Sequence, residues 1–375
     1  MKNNQLEKLS DYADYSKAKI SIAEIDTKCY FSTENMLPNK GGVTEAAGLP
    51  TQDNVTKVLP ENVLVSNIRP YFKKIYFANE LAGASNDVLC FVAKNGCLPR
   101  YLYYLLSSDS FFDYMMAGAK GTKMPRGDKG QIMNFPVWVP AQNEQSRIVS
   151  VLSALDEKIE NISKINHNLE EQAKAIFKSW FIDFEPFRDG EFVDSELGQI
   201  PAGWQVGTLK DMLEVRYGKE HKKLADGAIP VYGSGGLMRH VEKALYNGES
   251  VLIPRKGTLN NVMRVTGEFW TVDTMFYSVP RKTGAAKYLY HILSKLDLTS
   301  MNSGSAVPSM TTDILNAIKI ILPPDKVLKD FDYLTSFFWE SIETKKMEMQ
   351  KLAQLRDALL PELMSGEIDV SKVQV

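Results

Sequence analysis

Tyr101-Leu-Tyr-Tyr-Leu-Leu-Ser-Ser108 and Tyr288-Leu-Tyr-His-Ile-Leu-Ser-Lys295 share five of eight residues, and this repetition decides how the 375-residue chain is read. Outward from the octamers, further landmarks recur in the same order. Upstream, Val63-Leu64-Val65 returns as Val251-Leu252-Ile253, apolar runs that read as buried strands. Downstream, Gly121-Thr122 followed by Pro125 returns as Gly304-Ser305 followed by Pro308. Next, Val137-Trp138-Val139-Pro140 returns as Ile320-Ile321-Leu322-Pro323. From the Gly-Thr/Ser step onward the copies stay 183 residues apart. Solenoid repeats have periods of about 20–50 residues, so this is a duplicated domain and not an array.

Each apolar-proline strand runs into a long helical pattern. In the first, Ile148, Leu152, Leu155, Ile159, Ile162, Asn166, Leu169, Ala173, Ile176 and Trp180 alternate spacings of four and three. That is a heptad seam. A shift of 183 gives Phe331, Thr335, Phe338, Ile342, Lys345, Met349, Leu352, Arg356, Leu359 and Leu363, rougher but mostly apolar. A single amphipathic helix more often packs on its own domain. Two seams at equivalent positions of a duplicated unit instead supply each other's apolar partner. The expected pairing residues are Leu152, Leu155, Ile159, Ile162 and Leu169 against Phe338, Ile342, Met349, Leu352 and Leu359. Asn166, the polar exception, either fixes register or lies on a solvated flank. Asp183 to Gly190 breaks the first helix, and Gly198 to Gly203 is turn-rich around Pro201.

The expected fold is therefore α/β, with two globular domains from an internal duplication joined by two long antiparallel coiled-coil helices. The boundaries read as 1–142, a helix over 143–182, a linker over 183–203, a second domain over 204–323, a helix over 324–366 and a tail over 367–375.

Apolar residues make up 44% of the chain and charged residues 24%, ordinary for a globular protein. No apolar run approaches the roughly 18–20 residues that span a bilayer. Met1-Lys2-Asn3-Asn4 leads into no apolar signal core, so the expectation is a cytoplasmic protein without a membrane partner. Cys29, Cys90 and Cys97 form no CxxC pair and read as free thiols. The net charge of −2 conceals a division along the chain. Residues 1–142 carry a net +2 and residues 200–322 a net +5, while 143–199 carry −6 and 323–375 carry −3. Phosphate binding requires local positive potential, not a basic whole.

Catalytic signatures are missing. The sequence holds no GxxxxGK[ST] loop, no HExxH and no GxSxG elbow, and His167, His221, His240 and His291 are scattered, so no metal site is expected. The methyltransferase signatures, a glycine-rich FxGxG loop and an Asn/Asp-Pro-Pro-aromatic tetrapeptide, are also lacking. The basic stretches are more suggestive. Arg69, Lys73 and Lys74 interleave with Tyr71 after the first apolar strand, and Lys120, Lys123 and Arg126 share a glycine-containing loop. Arg255 and Lys256 follow the equivalent second strand and lead to Thr258 and Asn260, while Tyr232 and Ser234 belong to a glycine-rich turn. Such loops can bond phosphates and base edges, Arg and Asn bidentately. Taken singly, each is as readily an ordinary solvated loop.

The Gly-Thr/Ser…Pro loop, the apolar strand and Asn143-Glu-Gln-Ser-Arg-Ile148 opening a long helix resemble the specificity subunits of Type I restriction–modification systems. So do Leu169 to Phe184, Leu352-Ala-Gln-Leu-Arg-Asp-Ala-Leu-Leu-Pro361 and Pro201-Ala-Gly-Trp204. Pro324-Asp-Lys-Val-Leu328 departs from the Glu-Gln-x-x-Ile opening at the second helix. The resemblance implies two domains entering the major groove of double-stranded DNA and a helical spacer on which two methyltransferase subunits dock. It also implies restriction motor-nuclease subunits in the complex. No cofactor is expected in this chain; S-adenosylmethionine, ATP and magnesium would belong to the partner subunits. A helix over 148–180 would span about 50 Å at 1.5 Å per residue. One turn of B-DNA is about 34–36 Å. An asymmetric bipartite target with an unread gap of a few base pairs is expected. The competing readings are a coiled-coil adaptor that binds only protein and a stand-alone nuclease or methyltransferase with unfamiliar motifs. Salt-dependent DNA binding separates the first, and S-adenosylmethionine crosslinking the second.

Overall fold

The computed structural model describes residues 6–301 and 309–373. It divides into one unit made of Met1–Ser163 with Met347–Val375, and a second made of Lys164–Lys346. Four helices carry most of the packing: α1 (Pro99–Leu106), α2 (Gln142–Phe181), α3 (Ala285–Lys295) and α4 (Asp325–Ser365).

The first unit contains strands β1 (Ala13–Tyr15), β2 (Lys19–Ser21), β3 (Tyr30–Phe31), β4 (Asn54–Val58), β5 (Val63–Ser66), β6 (Ile75–Phe77), β7 (Ala82–Ala84) and β8 (Val88–Ala93). They form two four-stranded sheets, β1-β8-β5-β6 and β2-β4-β7-β3. Every residue of β5 is buried, as a largely apolar run hydrogen-bonded to a strand on each side should be. Helix α1 begins at Pro99, where a missing N–H costs nothing. It packs Tyr101, Leu102, Leu105 and Leu106 into the same core as Val63 and Val65.

The second unit contains β9 (Leu213–Tyr217), β10 (Ile229–Gly233), β11 (Gly236–Val241), β12 (Tyr246–Asn247), β13 (Ser250–Pro254), β14 (Met263–Val265), β15 (Glu268–Thr271) and β16 (Met275–Pro280). Their sheets run β9-β16-β13-β14 and β11-β10-β15-β12. Helix α3 repeats the role of α1. Tyr101 donates its hydroxyl to Trp138 O at 2.8 Å, and Tyr288 to Ile321 O at 2.6 Å. The octamer is thus tied in both copies to the strand that leads into a long helix, and the α/β duplication is present in the structure.

Helix α2 occupies Gln142–Phe181 where 143–182 is expected, and α4 occupies Asp325–Ser365 where 324–366 is expected. The helices are not separate spacers, however. Ile148 and Leu152 of α2 and Leu360 and Leu363 of α4 belong to the first core. Phe177, Phe181, Leu328 and Phe331 belong to the second. Nor is the stretch after 366 a free tail, since Val370 is 2% exposed in the first core and Ile368 and Val373 pack against it. Seam periodicity identifies an apolar face but not which of its turns the globule covers. The linker holds an antiparallel hairpin, Phe192–Ser195 with Gly198–Pro201.

Within each unit the two helices meet antiparallel. In the first, Arg356 Nη1 lies 2.9 Å from Asp156 Oδ1, and Lys158 pairs with Glu348 at 2.9 Å. In the second, Ala173 packs with Trp339 and Ile342, with Leu169 alongside. Phe331 there faces Phe177, Trp180 and Phe181. Of the expected pairing residues, Leu152, Ile162 and Ile342 are buried; Leu155, Ile159, Leu169, Phe338, Met349, Leu352 and Leu359 are half-buried. Asn166 is buried with its Oδ1 unpartnered.

Candidate nucleic-acid interface

In the first unit the chain leaves β5 through a tight turn. Arg69 and Lys73, both left-handed at φ 50°, flank one 3₁₀ turn, Pro70–Phe72. Tyr71 and Phe72 are exposed, their rings 4.6 Å apart. The loop over 120–127 docks beside this turn. Arg69 N–H donates to Pro125 O at 2.7 Å, Lys120 and Arg126 exchange backbone bonds at 3.0 Å, and Gly127 N–H reaches Asn67 O at 3.2 Å. Gly127 permits this approach, because a Cβ there would stand 2.7 Å from Asn67 Oδ1. Two basic stretches separated by some fifty residues in sequence thus form one surface.

Most of its cations have local partners. Arg126 pairs with Asp87 at 2.7 Å, Lys120 with Asp128 at 3.0 Å and Lys73 with Asp109 at 2.8 Å. The Lys73 ammonium holds the Asp109 carboxyl below its usual range. Lys74 donates to Thr33 O at 2.6 Å, and burial lowers its pKa. Lys123 is exposed. Asn67 Oδ1 and Arg69 Nε are buried without a protein partner, a costly state unless something else bonds them.

In the second unit the Arg255 guanidinium lies 5.3 Å from the Tyr217 ring centroid and donates to Asp273 O at 3.2 Å. The chain beyond the second glycine-serine step returns here, with Met310 N–H donating to Arg255 O at 2.8 Å and Ser309 bridging Lys256. Gly304, Ser305 and Pro308 lie outside the described residues. The glycine-rich stretch from Tyr232 to Gly236 closes the β10–β11 hairpin. Asn261 Nδ2 donates to Ser234 O at 2.8 Å, and Gly257, at φ +86°, passes so close that a Cβ would lie 2.9 Å from Ser234 Oγ. Tyr232, Ser234 and the Arg255–Thr258 loop therefore converge. Tyr232 is half-buried, which raises its phenol pKa. Asn260 is engaged elsewhere: its amide donates to Asp297 Oδ1 at 3.1 Å and accepts from Thr299 N–H at 3.2 Å.

Lys219, Lys222 and Lys223 escaped the sequence reading. All three are exposed, and Lys219 N–H is bound to Thr271 O at 2.8 Å on the strand beside Tyr232. The available signal was Gly218 after an aromatic strand end. A Cβ there would collide with Val272 O at 2.0 Å. Among the described residues no group of three or more His, Cys, Asp or Glu could hold a metal ion. None of the described helices is long and apolar enough to cross a membrane.

Residues 6–171 and 201–354 match the family model of the Type I restriction modification DNA specificity domain. The Type I restriction enzyme MjaIX specificity subunit of Methanocaldococcus jannaschii is 26% identical over 345 residues, covering 84% of this chain and 80% of its own. The HindI specificity subunit of Haemophilus influenzae is 22% identical over 460 residues, 96% of this chain and 100% of its own. A crystal structure of a Type I restriction–modification S subunit from M. genitalium superposes with a TM-score of 0.57 at 17% identity, covering 97% of each chain.

Proposed function

The chain belongs to the Type I restriction modification DNA specificity family, and on that premise we propose that each unit reads one part of a split duplex target through its converged basic loops. The observation that supports this most directly is the repeated backbone junction. In both copies the loop after the buried central strand accepts an N–H bond from the later loop, Gly127 to Asn67 and Met310 to Arg255. One framework therefore presents two unlike sets of side chains. Phosphate contacts fix position while base-edge contacts select sequence, so unlike loops give an asymmetric target.

The family is one of recognition, and chemistry is assigned here to partners: two methyltransferase subunits with S-adenosylmethionine, and motor-nuclease subunits with ATP and magnesium. Tyr333 and Phe337, one turn apart on α4, support docking, being 86% and 70% exposed. Large apolar groups left bare on a helix mark a surface that another protein covers.

The test is adenine-methylation mapping in cells that express the full chain with its methyltransferase subunits. A split asymmetric motif is expected, and Arg255→Ala should degrade one half of it. Methylation of a contiguous motif, or none that depends on this chain, overturns the proposal. A protein-only adaptor would show no salt-dependent affinity for duplex DNA.

A further inference from the structure

The duplication can be followed into the place where each octamer helix meets the long helices, and there the copies differ. In the first unit, Tyr103, Tyr104, Ser107, Asp156, Arg356 and Leu360 surround a nearly filled space of about 10 Å³. The Asp156 carboxylate accepts from Tyr104 Oη at 2.7 Å and from Arg356 Nη1 at 2.9 Å. The octamer offset of 187 and the helix offset of 183 carry five of these positions to Tyr290, His291, Ser294, Trp339 and Phe177, and Arg356 to Ala173. The first five line a cavity of about 210 Å³ in the second unit, with Glu170, Glu171, Lys174 and Lys295 at its rim; Glu171 is paired with Lys174 at 3.1 Å and Glu170 lies 4.0 Å from Lys346.

The second copy thus lacks both the carboxylate and the guanidinium that fill the first, yet its hydrogen-bonding groups remain. His291 Nε2 and Trp339 Nε1 are buried without partners, in residues 6% and 4% exposed. An indole N–H only donates. Arg264, stacked 4.6 Å from the Trp339 ring centroid and paired through Nε with Glu249 at 2.8 Å, also has a buried, unpartnered Nη1. Among the described residues no carboxylate lies within ion-pair distance of Lys295, whose ammonium sits 6.0 Å from the Phe177 ring centroid. Arg264, Lys174 and Lys295 all bear on His291 with positive charge. Unmatched donors in an aromatic-walled pocket, beside the Lys295 ammonium that the rim carboxylates leave unpaired, call for an anionic acceptor.

We infer that this cavity binds a carboxylate, taking at Trp339 and His291 the place that Asp156 fills internally in the first unit. The inference is independent of how the loops read DNA. Two sources share the chemistry: a free aromatic acid, or an acidic side chain presented by another polypeptide. The full chain labelled with ¹⁵N-tryptophan gives five indole signals, and Trp339→Phe identifies the relevant one. Sodium benzoate and N-acetyl-aspartate N-methylamide are the probes, each against sodium chloride at equal ionic strength. A saturable shift of the Trp339 signal is expected, weakened about threefold by Lys295→Gln, a rim substitution that leaves the core intact. Saturation by benzoate alone marks a free acid; saturation by the capped aspartate marks a polypeptide source; either supports the site. A shift reproduced by chloride, no saturable shift, or equal affinity in Lys295→Gln overturns it.

Discussion

In the first domain, β5 sits between β8 and β6 of a sheet whose order the second domain repeats strand for strand around β13. The outer sheets share less. Each is built on a short parallel pair, Tyr30–Phe31 with Gly83–Ala84 and Val231–Tyr232 with Trp270–Thr271. The fourth strand then joins opposite edges, β2 beyond β4 in one domain and β11 beyond β10 in the other. The loops differ in the same spirit. Arg126, Lys120 and Lys73 are held by carboxylates, whereas Arg255 rests on Tyr217 and Lys256 is exposed. The inner sheet is a shared mount, and the strands and ion pairs around it determine what each mount presents.

The hardest test of two separately cored domains is Phe331→Ala. Removing a fully buried ring packed on Phe177, Trp180 and Phe181 should cost about 3–5 kcal/mol, read as a lower denaturant midpoint. Probes in the first domain should be nearly unaffected; equal loss in both would show one cooperative fold.

Titration sharpens the contrast between Tyr104 and the equivalent His291. Burial pushes the His291 imidazole down from 6.5 to about 4. The unfolded chain therefore binds this proton first, so the neutral ring's contribution is intact above pH 6.5 and is lost as pH falls toward about 4. Thermal denaturation should show about 2 kcal/mol less acid sensitivity between these values in His291→Phe. An unchanged pH profile would mean that folding leaves the ring's pKa where it is in the unfolded chain.

Binding gives the next largest effects. Arg255→Ala should weaken specific DNA binding by about 1–2 kcal/mol, and Arg69→Ala by a similar amount through the other half-site, measured with duplexes altered in one half at a time. Equal losses on random DNA would reassign either residue to phosphate contact. Smallest is the double change Lys222→Gln with Lys223→Gln, which should flatten the logarithmic salt dependence by about one to two units without altering the preferred sequence.

Much of this fold was legible because duplication and heptad spacing are local patterns that survive in the chain's order. The octamers, both central strands and both long helices are found where the sequence puts them. What escaped depends on contacts between distant residues. Nothing near Arg69 announces that Pro125 will bond its backbone, and nothing near Asn260 shows that Asp297 will capture its amide. Lys219 was overlooked because its significance comes from Thr271, on another strand. The helix seams were visible, but their division between two cores depends on which turns face each globule. The cavity beside Trp339 follows from sequence only once the 183-residue shift is combined with antiparallel pairing, which sets Ala173 where the other copy has Arg356.

The core that encloses Tyr101 and Ile148 also encloses Leu360, Leu363 and Val370. A ribosome synthesising this chain releases the first globule with an open flank and must translate some two hundred further residues, the whole second globule included, before the missing wedge emerges. The domain made first is therefore finished last. A released chain that ends at residue 346 should stay protease-sensitive within its opening 140 residues while the middle of the chain is already resistant.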